Sequence, residues 1–543
     1  MKAVVWHGVG DIRLDEVPEP KIQDPHDAIV RITTSAICGT DLHFVRGTMP
    51  GLAQGRVLGH EAVGVVEETG PGVRNFRPGD RVVVPSTVAC GVCSYCRAGY
   101  FAQCDHANPA GRRGGTTFFG GPEAAGGLDG LQAEYARVPF AHVGLVPLPE
   151  SVDDAQAILL SDIMPTAWFG AKLAQVGSGD TVAVLGAGPV GQCAALAARL
   201  QGAGRVIVVD GVEDRLALAR RQHAETVDFN AEDPVEAVLE MTGGIGVDRV
   251  IEAVGIDAER PVSGPAADAL ADAQEEFDEE RGQTARVQHP GPHGTWLPGD
   301  APSLAARWAV DLAAKAGTIG MIGVYPPHAD RFPIGQAMQK NLTLQGGNCN
   351  HRRYIPHLVD MVRTGALDLT PFVTQWAGTQ DAIEAYEDFD RREHGWTKVA
   401  LDMTDTAAEE EAGGRAPGPA LRERPTDAGR GGQDALPLPD YDELPLGALQ
   451  HRIRALDADA LAGLLAYERG HAQRTGVLEL LTERLRQVEH GSGPSGGNPA
   501  APHPEHSRSR KGSTVTPATS PEPMSPPPHG TPDQSGKPKG DRT

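Results

Sequence analysis

The sequence is poor in aromatic residues, in positive charge and in cysteine, and these shortages exclude several classes of protein. Phe, Trp and Tyr make up 5% of the 543 residues. Asp and Glu outnumber Lys and Arg by 72 to 49, and the net charge of -23 argues against a nucleic-acid partner, because phosphates are neutralised by basic side chains. Seven cysteines in a chain of this size fit metal ligation in a reducing compartment better than disulfides.

Long apolar runs are also missing. No stretch reaches the roughly 18 to 20 residues that span a bilayer, and the start, MKAVVWHGVGDIRL, has no apolar segment followed by a small-residue cleavage site. We therefore expect a cytoplasmic protein without a membrane segment. The length allows two or three domains, while 67 Gly and 44 Pro indicate that part of the chain is loop or disorder.

The sequence divides into segments of distinct composition and periodicity. Residues 1–165 contain short β runs broken by Gly and Pro, which predicts an irregular β domain. From Thr181 the run TVAVLGAGPVGQCAALAARLQGAGRVIVVD alternates strand, Gly-rich turn, helix and strand, the pattern of a doubly wound parallel sheet. We assign this α/β domain to 166–343, with an acidic insertion at 257–300. Residues 344–403 are expected to return to the first domain.

The composition changes again beyond this point. Residues 404–436 are rich in Ala, Glu, Gly, Pro and Arg without apolar periodicity, which predicts a linker. Residues 437–490 recover apolar positions at helical spacing and predict a small module of two or three amphipathic helices. Its apolar stripes are expected to form its own core or, alternatively, a surface for an unknown protein partner. The Pro-, Ser-, Gly- and His-rich stretch 491–543 is expected to be disordered.

Four cysteines lie together in a Gly-rich segment at about 88–110. Their spacing is C-x2-C-x2-C-x7-C, and four thiolates favour tetrahedral zinc with no open position. Free thiols and an iron–sulfur cluster are the alternatives, although a ferredoxin-type run would continue as Cys-Pro and Asp105 follows here. The predicted ligands of this structural zinc are Cys90, Cys93, Cys96 and Cys104.

A second set of candidate ligands lies earlier in the chain. Residues 38–43 read Cys-Gly-Thr-Asp-Leu-His and residues 59–64 read Gly-His-Glu-Ala-Val-Gly. Neither segment is decisive alone. Together with Gly70, the four-cysteine segment and the dinucleotide-type sheet, they resemble the medium-chain zinc alcohol dehydrogenases from residue 1 to about 403. The resemblance implies a GroES-like β domain followed by a Rossmann domain.

The resemblance also implies a catalytic zinc. Cys38 and His60 match two of its ligands in the family. Most members supply the third from a Cys four residues before a Thr that contacts nicotinamide, whereas this chain has Asp162 four residues before Thr166. That difference resembles the glutathione-independent formaldehyde dehydrogenase branch. Asp162 is therefore the expected third ligand, Glu61 is the competing carboxylate, and one zinc position stays open for water or alcohol.

The family further implies a route for the proton. Thr40 is expected to hydrogen-bond the alcohol, and His43 to pass its proton toward solvent through the cofactor ribose. Asp41 matches the carboxylate that accepts the other ring N–H of the zinc-bound His60 and fixes its tautomer. A turn or capping role is the alternative for Asp41.

A nucleotide site is predicted in the second domain. The segment Gly-Ala-Gly-Pro-Val-Gly matches G-x-G-x-x-G between an apolar strand and a helix, where a pyrophosphate can approach the helix N-terminus. Asp210 ends the next strand, where a carboxylate binds the ribose hydroxyls and favours NAD over NADP. Arg215 is expected to reach the ribose or, alternatively, to form a structural salt bridge. The predicted cofactor-binding residues are Thr166, Gly186, Gly188, Pro189, Val190, Gly191, Asp210 and Arg215.

These patterns predict a zinc-dependent oxidoreductase, with two zinc ions per chain, that transfers a hydride reversibly between an alcohol or hydrated formaldehyde and NAD. A polyol or amino-alcohol dehydrogenase is the alternative within the family, and a non-catalytic scaffold acting through the helical module is the alternative of another class. The resemblance implies dimers or tetramers. It also suggests that the insertion covers NAD and slows its release, unless it is a solvated loop. The helical module resembles one appended to various actinobacterial proteins.

Overall fold

The computed structural model describes residues 1–291 and 294–404, and in the C-terminal part residues 438, 449, 453, 456–470 and 474–489. The chain divides into two compact units, Met1–Gly418 and Pro419–Thr543. Apart from Thr404, the predicted linker lies outside the described residues, and so does the predicted disordered tail. Across the part of the chain that is described, no helix is long and apolar enough to cross a membrane.

Short strands and short helices alternate at the start of the larger unit, where β-branched runs are interrupted by Gly and Pro. The strands are β1 (Lys2–Gly8), β2 (Asp11–Glu16), β3 (Ala28–Ile37), β4 (Arg56–Val57), β5 (Ala62–Thr69), β6 (Arg81–Val84), β7 (Tyr135–Val138) and β8 (Val146–Pro147). The helices are α1 (Gly39–Arg46), α2 (Ser94–Arg97), α3 (Ala141–Gly144), α4 (Asp154–Ser161) and α5 (Ile163–Leu173).

Strand and helix then alternate regularly, as the apolar runs predict. The strands are β9 (Thr181–Leu185), β10 (Arg205–Asp210), β11 (Glu225–Asp228), β12 (Val247–Glu252), β13 (Ala313–Met321) and β14 (Thr343–Gly346). The helices are α6 (Pro189–Leu200), α7 (Glu213–Arg221), α8 (Pro234–Met241), α9 (Gly264–Ala269), α10 (Gln274–Thr284), α11 (Leu304–Leu312) and α12 (Ile334–Gln339). The six strands run parallel in the order β11-β10-β9-β12-β13-β14. The order reverses between β9 and β12, which is where ligands bind in such sheets.

The chain finally returns to the first sheet. Its last elements in this unit are α13 (His351–Arg363), β15 (Gln375–Gly378), α14 (Ala382–Asp390) and β16 (Val399–Asp402). Strand β16 pairs antiparallel with β3, so that Val399 lies opposite Ile37. The resulting seven-stranded sheet has the order β15-β16-β3-β5-β6-β8, with β7 also paired to β3. Strands β2, β1 and β4 form a separate three-stranded sheet.

The insertion between β12 and α11 is more buried than its acidic composition indicates. Its helix α10 begins at Gln274, and Phe277 on that helix is 0% exposed. Trp296 is 2% exposed and packs in the core of the β domain, in the same cluster as Val30 and Phe44. The insertion therefore joins the parallel-sheet domain to the β domain through an apolar anchor.

The smaller unit contains α15 (Ala458–Gly470) and α16 (Thr475–Glu489). Its buried leucines form a cluster of their own with Ile453 and Val477. Glu468 is 0% exposed in this unit, and its carboxylate pairs with Arg474 at 2.9 Å. The predicted α/β class with a small helical module is confirmed.

Candidate active site and metal centres

Helix α1 begins directly after β3 and carries several candidate residues into the interior. Cys38 is the N-cap of this helix, and its backbone N–H donates to Oδ2 of Asp41 at 3.0 Å. Oδ1 of the same carboxylate lies 3.2 Å from Nδ1 of His60. Asp41 therefore makes both contacts that the sequence suggested, a cap and a histidine partner. Because it accepts the Nδ1 proton, Nε2 of His60 keeps a lone pair for a metal.

The side chains of Cys38, His60, Glu61 and Asp162 meet in one buried cluster. Their ligand atoms all lie within 4.8 Å of one another. Nε2 of His60 is 3.8 Å from Oδ2 of Asp162, the residue between α4 and α5. A thiol, an imidazole and carboxylates buried this close together are costly unless a cation compensates them. Their chemistry fits zinc, which binds sulfur, nitrogen and oxygen ligands in sets of three or four.

Burial and close charges perturb the pKa values of this cluster. Burial raises the pKa of the Cys38 thiol. Burial would lower the pKa of His60, but Asp41 and Cys38 raise it well above its ordinary value. Burial would raise the pKa of Asp162, but the hydrogen bond and charge of His351 hold it below its usual range. The Asp162 carboxylate is therefore ionised at neutral pH, whereas the Cys38 thiolate needs an added cation such as zinc.

His351, which no sequence motif indicated, is the direct partner of Asp162. Its Nε2 lies 2.7 Å from Oδ1 of Asp162, and its Nδ1 lies 3.0 Å from the Thr87 hydroxyl. The Thr166 hydroxyl is 3.3 Å from the same Nε2. His351 begins α13 and is 3% exposed. Oδ1 of Asp162 is therefore hydrogen-bonded to His351, and Oδ2 is the oxygen closest to His60.

Glu61 is neutralised by Lys398, a second residue that no motif indicated. Nζ of Lys398 lies 2.6 Å from Oε1 of Glu61, and both side chains are 0% exposed. The same ammonium donates to the Ile37 carbonyl at 2.9 Å. Burial would lower the pKa of Lys398, but Glu61 and Cys38 raise it, so the ammonium stays charged. A lysine in the apolar run WTKVALDM could have indicated a buried partner, since lysine is seldom buried unpaired.

The four cysteines at the base of α2 form the other cluster. Their sulfurs lie within 4.8 Å of one another and all four residues are buried. Backbone N–H groups point at the sulfurs, from Cys90 to Cys104 Sγ at 3.3 Å and from Cys96 to Cys93 Sγ at 3.5 Å. A hydrogen bond from Cys96 lowers the pKa of Cys104 to about 4. Burial raises the pKa of Cys90, so a bound metal is needed to hold all four sulfurs as thiolates. Four buried sulfurs this close together fit a closed tetrahedral zinc site.

One cleft connects the first cluster with the predicted nucleotide site. Its walls include Cys38, Thr40, His43, His60, Asp162, Thr166, Gly186, Gly188, Pro189, Val190, Asp210 and Arg215. Gly186 has φ +87°, and a Cβ on Gly191 would lie 1.8 Å from the Gly186 carbonyl oxygen. The backbone can take this tight turn only with glycine, which leaves room for a phosphate at the start of α6.

Asp210 and Arg215 occupy the wall beyond this turn. The two carboxylate oxygens of Asp210 accept backbone N–H bonds, from Ala187 at 2.6 Å and from Val212 at 2.9 Å. Nε of Arg215 is buried without a hydrogen-bond partner among the described residues, and burial lowers the pKa of this guanidinium. Nη1 of Arg215 lies 4.0 Å from the position that a Cβ on Gly188 would occupy. A cation placed there suits the negative charge of a dinucleotide.

Comparisons with known proteins agree with this arrangement. The family model for the alcohol dehydrogenase GroES-like domain matches residues 24–150, and that for the zinc-binding dehydrogenase matches residues 189–262. The zinc-type alcohol dehydrogenase-like protein AdhB of Bacillus subtilis is 37% identical over 405 residues, which cover 74% of this chain and 100% of that protein. The chain belongs to the medium-chain zinc-dependent alcohol dehydrogenase family.

Other members of the family are similar over the same part of the chain. The glutathione-independent formaldehyde dehydrogenase of Pseudomonas aeruginosa is 36% identical over 404 residues, covering 72% of this chain and 94% of the relative. The solved structure of alcohol dehydrogenase TADH from Thermus sp. ATN1 is 32% identical with a TM-score of 0.59, covering 74% of this chain and 99% of that one. The predicted GroES-like and Rossmann domains and a zinc-dependent NAD oxidoreductase are thereby confirmed.

The C-terminal module has a match of its own. Residues 433–491 match a domain of unknown function (DUF8129). That description carries no chemistry, so the roles open to the module are those suggested by its structure and sequence.

Proposed function

We propose that this dehydrogenase oxidises small alcohols or hydrated formaldehyde, reversibly, at a catalytic zinc held by Cys38, His60 and Asp162. The observation that carries the proposal is the different placement of the two carboxylates. Asp162 lines the cleft with Cys38 and His60, whereas Glu61 is 0% exposed and paired with Lys398. One thiolate and one carboxylate then neutralise zinc and leave a position open toward the cleft.

The second zinc is proposed to bind at Cys90, Cys93, Cys96 and Cys104, where four sulfurs leave no place for a substrate. Its role is to fix the loop around α2.

The chain's own residues would handle substrate and proton. Zinc at this site supplies a Lewis acid that lowers the pKa of an alcohol hydroxyl, and NAD supplies the hydride acceptor. The Thr40 hydroxyl lines the cleft and is proposed to hydrogen-bond the substrate hydroxyl, while His43 takes the released proton. Asp41 keeps the metal-facing nitrogen of His60 free of a proton through its contact with Nδ1.

NAD is proposed to bind along the remainder of the cleft. Gly186, Gly188 and Gly191 allow the pyrophosphate to approach the start of α6, and Pro189 and Val190 form its first turn. Asp210 lies where the adenosine ribose is bound in such sheets, and its charge disfavours a 2'-phosphate. Arg215 supplies positive charge beside the dinucleotide, and Thr166 faces the nicotinamide end near Asp162.

A set of polar side chains near the candidate metal ligands favours small, polar substrates. Hydroxyl and amide side chains near the candidate metal ligands are contributed by Thr40, Ser86, Thr87, Thr116 and Asn348. A hydrated aldehyde has two hydroxyl groups, and such a wall can hydrogen-bond the one that zinc does not bind. The naming of a relative as a glutathione-independent formaldehyde dehydrogenase supports the same substrate.

A substrate panel tests this choice. NADH formation is measured with primary alcohols, polyols, amino alcohols and formaldehyde, the last with and without a low-molecular-weight thiol. Turnover of formaldehyde alone is expected. Turnover that requires the thiol would reject the glutathione-independent assignment, and a preference for polyols or amino alcohols would select the alternative within the family.

The ligand assignment is tested by Asp162→Ala and Glu61→Gln in parallel. Asp162→Ala is expected to abolish turnover and remove about one zinc per chain, measured by elemental analysis, because the open site loses one of only three protein ligands. Glu61→Gln keeps the shape of the side chain and is expected to retain both zinc ions. Loss of zinc from Glu61→Gln with retention in Asp162→Ala would transfer the ligand role to Glu61.

The proposal also covers the cellular compartment and the oligomeric state of the protein. All seven cysteines are free, in keeping with a cytoplasmic protein. Dimers or tetramers are proposed on the family resemblance, and light scattering of the full chain would measure their mass. A protein partner of the C-terminal module is the remaining proposal for that unit.

A further inference from the structure

The candidate proton acceptor His43 is bonded to a carboxylate of the other domain. His43 lies on α1 of the β domain, and Asp257 follows β12 of the parallel sheet, at the first position of the insertion. Nδ1 of His43 is 2.7 Å from Oδ2 of Asp257, and the two side chains are 6% and 5% exposed. The Thr48 hydroxyl lies 3.2 Å from the same carboxylate oxygen. The imidazole is therefore held on one side by a buried carboxylate.

The groups around this pair define its charge. Arg46 of α1 lies 3.1 Å from Oδ2 of Asp257 and 2.7 Å from Asp390 of α14. The backbone N–H of Gly299 donates to Oδ1 of Asp257 at 3.2 Å. Farther out, the ion pair between Glu259 and Arg392 acts electrostatically on Arg46.

The charges around the pair favour positive charge that develops on the imidazole during proton transfer. Two carboxylates, Asp257 and Asp390, lie against one guanidinium, Arg46, so the group carries excess negative charge beside a neutral His43. The positive charge that His43 gains when it accepts a proton is attracted by that excess. Burial would raise the pKa of Asp257, but His43 and Arg46 hold it below its usual range, so the carboxylate remains ionised.

We propose that Asp257 is a positioning residue for proton transfer, which completes His43 as a carboxylate–imidazole pair assembled from both domains. The inference rests on the proposed role of His43. Because a carboxylate only accepts hydrogen bonds, the neutral ring carries its proton on Nδ1, facing Asp257. Nε2 is then the nitrogen that accepts a proton from the cleft, which His43 lines.

The proton balance of the step is simple. The substrate O–H bond breaks as an N–H bond forms at Nε2, and the proton then leaves Nε2 for solvent. Asp257 keeps its charge throughout and stabilises the imidazolium, as the carboxylate of a catalytic triad does. The pair takes one side chain from each domain, so the proton acceptor depends on contact between the two domains.

A double-mutant cycle tests this proposal in the full-length holoenzyme. The single-turnover rate of NADH formation is measured for the wild type, His43→Ala, Asp257→Asn and the double variant. Asp257→Asn alone is expected to slow the rate about 10-fold or more, a part of the roughly 10²- to 10⁴-fold that a complete general base contributes. In the His43→Ala background the same change should alter the rate by less than about twofold, because the carboxylate then has no imidazole to position. Equal losses in both backgrounds would overturn the proposal.

The pH profile of the single-turnover rate is a second, independent measurement. Removing the negative charge of Asp257 makes the imidazolium less stable, so the acidic limb of the profile moves to lower pH in Asp257→Asn. Asp257→Glu restores the charge and is expected to bring the limb back toward the wild type. The matched control is Asp390→Asn, which removes a carboxylate that contacts Arg46 but not His43. The acidic limb of the pH profile of Asp390→Asn is expected to stay closer to that of the wild type.

These outcomes separate this proposal from the one on which it rests. No turnover of any alcohol or of formaldehyde by the zinc-loaded wild type would reject the proposed dehydrogenase function. If the wild type turns over substrate but the acidic limb of the pH profile does not shift in Asp257→Asn, only the role of Asp257 is rejected. Zinc content and the midpoint of unfolding are compared for all variants, so that a folding defect is not mistaken for loss of the pair.

Discussion

Three buried side chains of the candidate active site influence the metal cluster through a second side chain that each of them contacts. Asp41 contacts His60, His351 contacts Asp162, and Lys398 neutralises Glu61. The first two contacts fix which atom of His60 and of Asp162 remains available to a metal, and the third pairs the carboxylate that is not proposed as a ligand. Residues of this kind are commonly as important to a metal site as the ligands themselves.

Replacing His351 tests how far Asp162 depends on its partner. His351→Ala removes the contact to Oδ1, and the carboxylate is then free to turn away from His60. We expect zinc affinity at this site or turnover to fall by about 10- to 100-fold. The measurement is zinc retained against a competing chelator, together with the visible spectrum of the cobalt-substituted enzyme, which reports the geometry of the ligands.

The control variant for this prediction lies on the same helix. His357→Ala removes an exposed histidine of α13 that packs its ring edge against Trp168 and does not line the cleft. It should retain zinc like the wild type. A His351→Ala enzyme with unchanged chelator resistance and an unchanged cobalt spectrum would show that Asp162 is held without its partner.

Sequence patterns indicate the local candidates and miss their distant partners for a physical reason. Cys38, Asp41 and His43 share one helical turn and its cap, so their spacing alone places them together. Asp257, His351 and Lys398 reach the same region through strand order and helix packing. Such contacts depend on tertiary structure, and an isolated charged residue in a sequence does not reveal its neighbour. Lys398 is the partial exception, because it directly precedes the apolar strand β16.

At the scale of elements, the insertion between β12 and α11 is the least expected feature. Its residues Glu259, Arg260 and Val262 line the cleft, while Trp296 is buried in the β-domain core. Its high content of Asp and Glu is typical of a solvated loop. Composition is an average over the whole segment, so it does not reveal the few apolar residues that anchor the insertion. Strands β3, β5 and β9, in contrast, are readable from the sequence because apolar and β-branched residues dominate each of them.

Removing the Trp296 anchor tests whether the insertion retains the cofactor. Trp296→Ala is expected to lower the free energy of unfolding by about 3–5 kcal/mol, the usual cost of deleting a buried aromatic side chain. If the insertion covers NAD, the loosened segment should also release NADH faster, as followed by stopped-flow fluorescence. Leu297→Ala is the matched control, since its neighbour Leu297 is 50% exposed. An unchanged NADH dissociation rate in Trp296→Ala would leave the insertion a purely structural element.

At the scale of the whole molecule, the two compact units have separate apolar cores. The cluster of Leu449, Ile453, Leu461, Val477 and Leu481 contains residues of the smaller unit alone. All candidate zinc and nucleotide residues lie in the larger unit. We therefore expect the chemistry to be independent of the smaller core.

Truncation of the chain after Thr404 tests this independence. The shortened protein is expected to keep two zinc ions, and its free energy of unfolding should differ from that of the same unit in the full chain by less than about 0.5 kcal/mol. Alcohol-dependent NADH formation is measured beside the full chain. Loss of zinc or of turnover on truncation would show that the C-terminal unit supports the active site and would favour a coupled role over an independent one.

The pairing of β16 with β3 has a consequence for the order of events during synthesis. Residues 28–37 leave the ribosome early, but their neighbour in the sheet and the cation that neutralises Glu61 arrive only with residues 398–402. The parallel sheet between them is translated first in full. A nascent chain can thus fold its Rossmann domain while the zinc-bearing domain still lacks a central strand. We therefore expect the buried charges of the catalytic cluster to be balanced only after the Rossmann domain has been translated, when Lys398 reaches Glu61.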